Sequence, residues 1–147
     1  MKAVIQRVSE AKVKIGGSVV SKIKKGFLVL LGVEKGDTEI DADYITKKIA
    51  GLRIFEDSSS KMNLSVKDIS GEILVVSQFT LSADCRKGNR PSFIRAEEPE
   101  KAEELYMKVV RGLQREGIPT CTGQFAALME VQLVNSGPVT ILLDSRQ

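Results

Sequence analysis

A chain of 147 residues is long enough for one sizeable core and suits a single domain spanning 1–147. It is 42% hydrophobic and 28% charged, with a formal net charge of +3. That balance excludes a disordered or strongly basic chain, and it permits a polyanionic partner without demanding one. There is no histidine, which removes Ser-His-Asp and Cys-His catalysis and most zinc chemistry. An enzyme built from this chain activates its nucleophile by other means.

The two cysteines, Cys85 and Cys121, lie far apart and form no C-x-x-C pair, so neither a disulfide framework nor a zinc site is expected. The opening MKAVIQRVSE lacks the apolar core of a signal peptide. No later stretch approaches a membrane span. These features predict a cytoplasmic protein with free thiols.

In chain order, residues 11–15 alternate, with Ala11, Val13 and Ile15 on one face and Lys12 and Lys14 on the other. That pattern predicts a half-buried strand. Gly16 and Gly17 turn it into a returning strand over 18–21, a hairpin. Residues 26–33 are continuously apolar between glycines and predict a buried strand, followed by a turn at 34–37. Residues 40–52 place Ile40, Tyr44, Ile45, Ile49 and Leu52 at helical spacing, with acids at the start and lysines toward the end, as the helix dipole favours. A short strand over 53–56 and a polar loop over 57–61 come next. A second strongly apolar strand is predicted over 72–79. A charged loop occupies 83–95.

A helix then opens at Pro99 with the stripe Ala102, Leu105, Tyr106, Val109, Val110 and Leu113, and Gly117 and Pro119 close it. Two final strands, 129–134 and 139–143, are joined by Asn135, Ser136, Gly137 and Pro138. Strands outnumber helices and hairpin-length links dominate. The predicted fold is α+β: a mostly antiparallel, curved or barrel-like sheet with two main helices packed on it.

Three segments could carry chemistry. Ser77, Gln78, Phe79 and Thr80 bring hydroxyls, an amide and backbone N–H groups to the end of a buried strand; a plain strand-to-turn junction has the same composition. Gly137 and Pro138 combine close backbone approach with an X-Pro bond that can be cis, though a simple hairpin turn also accounts for them. The loop over 83–95 offers Arg86, Lys87, Arg90 and Arg95 beside Phe93, suited to phosphates and a stacked base, and equally to a solvated loop.

The strand end SQFTL (77–81) together with NSGPVT (135–140) resembles the signature pair of the D-aminoacyl-tRNA deacylase family. The opening AVIQRV, the run RKGNRPSF and the terminal TILLDS extend that resemblance along the whole chain. It implies a homodimer acting on the aminoacylated end of tRNA, with no cofactor and no metal. It implies catalysis around Ser77, Gln78, Phe79 and Thr80, completed by Gly137 and Pro138 of the partner subunit, which reject L-residues. It marks Phe125 and Met129 as lining for the terminal adenosine, Arg7 and Asn135 as support for the Gly–Pro segment, and Arg86, Lys87, Arg90 and Arg95 as tRNA contacts. Two mechanisms follow: attack by the Thr80 hydroxyl, which needs a base, or attack by water helped by the 2′-hydroxyl of the substrate. The second suits a chain without histidine. Glycyl-tRNA, having no side chain to clash, is expected to be cut as well.

Overall fold

The computed structural model describes residues 1–147. A 14-residue strand, β1 (Lys2–Ile15), organises the sheet. One edge of β1 pairs antiparallel with β2 (Ser18–Ile23) near its C-terminal end and with β3 (Gly26–Gly32) near its N-terminal end. The other edge pairs antiparallel with β8 (Glu130–Asp144) along nearly its whole length. Beyond β3 the sheet continues through β6 (Glu72–Ser77), parallel to β3, and β7 (Thr120–Thr122), parallel to β6. At the far side β6 and β7 come into contact with β2. The curved, mixed sheet therefore nearly closes on itself. A small ribbon, β4 (Phe55–Glu56) with β5 (Met62–Leu64), lies apart.

Two helices, α1 (Glu39–Gly51) and α2 (Pro99–Arg115), cover one face of this sheet. The α+β expectation thus holds, with two parallel strand pairs in an otherwise antiparallel arrangement. No helix is long and apolar enough to cross a membrane.

The sheet buries both faces. The larger core lies under the helices and includes Ile5, Phe27, Val29, Val75, Ile45, Ile49, Val109 and Leu113. The smaller lies within the curl and includes Val8, Ala11, Val13, Ile23, Leu28, Leu74 and Val76. Burying both sides of β3 and β6 explains why these strands read as continuous apolar runs rather than alternating ones. Strands β1 and β8 serve the two cores in turn. Ala3 and Ile5 face the larger core, whereas Val8, Ala11 and Val13 face the smaller; Val139, Ile141 and Leu143 answer to the first, and Met129, Val131 and Leu133 to the second. The switch falls where the β1–β8 register shifts, between Gln6 and Glu10. A shift of one residue exchanges the two faces of a strand.

Several sequence expectations change in the structure. The first strand begins at Lys2, well before the alternating part. The helix α1 turns its Ala42, Ile45, Thr46 and Ile49 inward and leaves Ile40 80% exposed and Tyr44 at the surface. At 100° per residue Ile40 and Tyr44 lie opposite the buried group, whereas Ile45 and Ile49 of the expected stripe are buried and Leu52 packs on the core, so the buried face is rotated by about a quarter turn from the expected one. The strand predicted over 72–79 stops at Ser77, and Phe79–Ser82 form a short 3-10 turn. The two strands predicted at the end are one, β8, although Ser136 to Val139 have no partner on β1 and bulge from the ladder between Asn135 and Thr140.

Candidate active site

The Ser77 end of β6 lies beside Leu31 in β3, and the Gln78 N–H donates to the Leu31 carbonyl at 2.8 Å. The chain then turns sharply over Gly32. A Cβ at that position would sit 2.9 Å from the Gln78 carbonyl oxygen and 3.1 Å from the Leu81 Cβ. Only glycine lets the turn approach the sheet so closely. Within the turn, the Leu81 N–H bonds Gln78 and the Ala83 N–H bonds Thr80. The first donors of a helical turn have no preceding carbonyl within that turn. Phe79 and Thr80 are the first two residues of this turn, so their N–H groups are such donors.

The Thr80 side chain is exposed, and its hydroxyl accepts a hydrogen bond from the Gln78 side-chain amide. A donor on that oxygen draws electron density from it; it is not the arrangement of a nucleophile paired with a base.

Beside this turn opens a mostly apolar cavity of about 360 Å³. Ser77 and Phe79 line it together with Leu31, Val33, Ala102 and Phe125. Phe125 is held against Tyr106, ring centroids 5.8 Å apart. Burial raises the Tyr106 pKa, and its hydroxyl is committed to the Val75 carbonyl at 2.8 Å. This tyrosine therefore positions Phe125 and remains protonated. Met129 takes another place: it packs on the smaller core, its sulfur against Gly123, away from the cavity lining.

The sequence reading missed Glu97, Ala96, Pro99 and Ala126, all on the cavity wall. Glu97 is the charged group among them. Lys101 four residues on holds its carboxylate at 3.0 Å and, with the Glu98 N–H, keeps its pKa below the usual range. That i, i+4 spacing was the available signal.

The Gly–Pro segment is built from the other side of the sheet. Arg7 is buried, donating through Nε to the Ser136 carbonyl at 2.9 Å and through a terminal nitrogen to the Ile54 carbonyl at 2.7 Å. Asn135 accepts from the Val139 N–H at 3.0 Å and donates to the Thr140 hydroxyl at 3.1 Å, spanning the segment. Gly137 has φ +132°, and a Cβ there would lie 2.8 Å from both the Arg7 guanidinium and the Val139 side chain. The Gly137–Pro138 bond is cis. Both residues are exposed, and neither borders the cavity beside Ser77 of the same chain. The structure does not bring the two motif segments together within one chain.

The charged loop is pinned rather than free. Asp84 and Ser92 exchange backbone hydrogen bonds of 2.8 and 3.0 Å, and the Phe93 ring meets the Phe79 ring edge-on at 5.1 Å. Arg86 is clamped on Asp84, which holds the Asp84 carboxyl well below the usual carboxylate range. Arg95 reaches the buried Glu34 at 3.4 Å, a carboxylate that also meets Lys2 at 3.1 Å. Lys87 and Arg90 make no ion pair and are exposed. Of the four cations read as tRNA contacts, Arg86 and Arg95 thus lie in ion pairs within the chain, Arg95 on a carboxylate that it shares with Lys2 and Arg146.

With this geometry in place, the comparisons are specific. The model of the D-Tyr-tRNA(Tyr) deacylase family matches residues 4–144. The chain belongs to this family. A D-aminoacyl-tRNA deacylase of Geobacter sulfurreducens is 59% identical over 146 residues, covering 99% of this chain and 96% of that protein. Another from Thermotoga petrophila is 59% identical over 145 residues, with 99% and 97% coverage. Among solved structures, one described as a c-Myc DNA unwinding element binding protein superposes with a TM-score of 0.92 at 44% identity, covering 98% of each chain. A probable eukaryotic D-amino acid tRNA deacylase gives a TM-score of 0.83 at 14% identity over 97% of each chain, a likeness of fold alone. The family match spans both motif segments.

Proposed function

We propose that this chain is a cytoplasmic D-aminoacyl-tRNA deacylase. It hydrolyses the ester between a D-amino acid and the terminal adenosine of tRNA, releasing both, and works as a homodimer with composite sites. The observation that carries this reading is the pair of first-turn N–H groups at Phe79 and Thr80 beside an apolar cavity, in a chain of this family.

The aminoacyl ester is already activated, so no strong base is needed. Water attacks the carbonyl, assisted by the neighbouring 2′-hydroxyl of the substrate. The Phe79 and Thr80 N–H groups receive the developing oxyanion, an effect of about 3–4 kcal/mol per donor where one such donor has been removed elsewhere. The cavity takes the adenosine, with Phe125 as its aromatic wall. Thr80 supplies its N–H rather than its hydroxyl, consistent with the amide donor already on that oxygen.

Chirality is read by backbone. The carbonyls of the partner subunit's Gly137 and the partner subunit's Pro138 hold the substrate ammonium and touch no side chain, so many D-residues fit. An L-side chain points into that wall and clashes. Glycyl esters have nothing to clash and pass. Support for the dimer comes from the exposure of Gly137 and Pro138 away from the cavity beside Ser77 of their own chain, and from the outer edge of β8, which pairs with no strand and carries Val134 and Leu142, 50% and 76% exposed. An open edge of that length invites pairing with a second copy.

Incubation with D-Tyr-tRNA and L-Tyr-tRNA tests this directly: the D-ester is cleaved and the L-ester is spared. Binding of both without turnover would reduce the chain to an RNA-binding module. Equal cleavage of both would remove the chiral wall.

A further inference from the structure

The hairpin formed by β1 and β2 carries a feature that the site chemistry leaves unused. Lys12 and Lys22 are direct cross-strand partners in the antiparallel register. Ala11 and Val13 turn inward, so Lys12 and Lys14 share the outer face with Lys22. Side chains directly opposite one another stand about 5 Å apart, and like charges there are destabilising. Lys24 and Lys25 follow at the end of β2, both exposed.

None of these five lysines belongs to an ion pair. The acids nearest are Glu10, Glu130, which stands opposite Lys14, and Glu72, whose carboxylate accepts from the Lys24 N–H at 2.6 Å; none comes within ion-pair distance of a lysine ammonium. On β8 the residue opposite Lys12 is the neutral Gln132. A shallow depression lined by Lys12, Lys22, Glu10 and Gln132 lies between them.

We infer that this lysine face of the β1–β2 hairpin binds the phosphate backbone of the tRNA acceptor arm. The inference rests on the deacylase reading above and places its substrate. Two observations favour an RNA backbone over other partners. A directly opposed, unneutralised Lys–Lys pair is unfavourable in the free protein and is relieved by a polyanion laid across it. Moreover, Val8 on β1 is the register partner of Asn135, which begins the Gly–Pro segment, and Lys12 lies four residues farther along the same strand. At about 3.3 Å per residue that is roughly 13 Å. RNA whose 3′ end is held at a composite site containing that segment needs cationic support at a short distance of this order, and in the loop over 83–95 Arg86 is already paired with Asp84.

The test is the double variant K12Q/K22Q, measured by binding of deacylated tRNA across a salt series. Each lost phosphate contact lowers the slope of log affinity against log salt by about 0.9, so a slope smaller by about 2 is expected. Affinity near 150 mM salt should fall on the order of tenfold. The charge-retaining K12R/K22R should restore both. Turnover should fall on D-Tyr-tRNA, while the D-tyrosyl ester of adenosine, which has no stem phosphates, is cut as by the parent. The melting temperature should stay level or rise, because a repulsion has been removed. An unchanged salt slope overturns the inference and leaves the lysines to another anionic partner. So does an equal loss on both substrates, or a lowered melting temperature with no slope change, each of which marks a purely structural role. If the parent cuts neither ester, the deacylase reading fails, and the binding slope still decides this one.

Discussion

The two motif segments are held in opposite ways. The turn from Ser77 to Ser82 grows out of a strand buried on both faces, crosses Gly32 with no room for a side chain, and presents two N–H groups at the edge of a cavity in its own chain. The segment from Asn135 to Pro138 is equally braced, by Arg7 from below and by Asn135 across its ends, but it presents its outer surface to no part of its own chain. Rigid support beneath an empty surface is costly unless something outside the chain uses it. The contrast is between a segment that borders a cavity of its own chain and one that, in the proposed dimer, would complete the cavity of another.

That contrast breaks most sharply at Gly137. In Gly137→Ala the new Cβ meets the Arg7 guanidinium and Val139 at 2.8 Å in a backbone conformation that L-residues rarely adopt. The displaced wall should lower kcat/KM on D-Tyr-tRNA on the order of 100-fold, and deacylation of L-Tyr-tRNA should become detectable. Unchanged rate and unchanged chirality would mean that the wall is not part of the site.

Arg7 tests the brace. Arg7→Ala leaves the Ser136 and Ile54 carbonyls without their donor and should cost about 2–3 kcal/mol of stability. For a chain of this size that is roughly a 5–10 °C fall in melting temperature. Arg7→Lys should recover little, since one ammonium does not reproduce two guanidinium bonds in different directions. A calorimetric scan of the three proteins decides it.

On the turn, Thr80→Ala should lose only about tenfold in deacylation, the scale of one lost hydrogen bond. Thr80→Pro, which deletes the N–H, should lose on the order of 10²–10³. A substrate ending in 2′-deoxyadenosine, charged on its 3′ oxygen, should be cut poorly by the parent. Near-complete loss in Thr80→Ala with normal cleavage of the deoxy substrate would return the chemistry to the side chain.

The smallest effect is expected at Glu97. Its pKa is depressed by the Lys101 hydrogen bond, so its contribution to stability is present above the unfolded value of about 4.3 and is lost as pH falls through the lower folded value. Glu97→Gln should change the melting temperature little at pH 7 and make its fall below about pH 4 shallower. An unaltered acid limb would show that the pair contributes nothing.

Much of this was legible in the sequence. The apolar run of β3 and the stripe of α2 announce buried elements, because burial on both faces or along one helical stripe leaves a direct mark on residue type. The motif segments 77–81 and 135–140 carry the family resemblance in residue identity alone. The stripe of α1 was misplaced because Ala42 and Thr46, small and unremarkable in sequence, sit on the buried face while the larger Ile40 does not. Size and apolarity do not determine which side of a short helix meets the sheet.

What the sequence determined by itself was therefore local: element types, the glycine that permits the turn, the absence of a histidine base, and the residues of both motifs. What only the tertiary structure decided was relational. It placed Met129 in the inner core while Phe125 kept the cavity, committed Arg86 to Asp84 and Arg95 to Glu34, set Lys12 opposite Lys22, and held Gly137 and Pro138 apart from the chain's own Ser77. Those outcomes depend on the register of β1 against β2 and β8, and a register is fixed by the packing of whole strands, with one-residue shifts reversing every face. No short window of sequence contains that information.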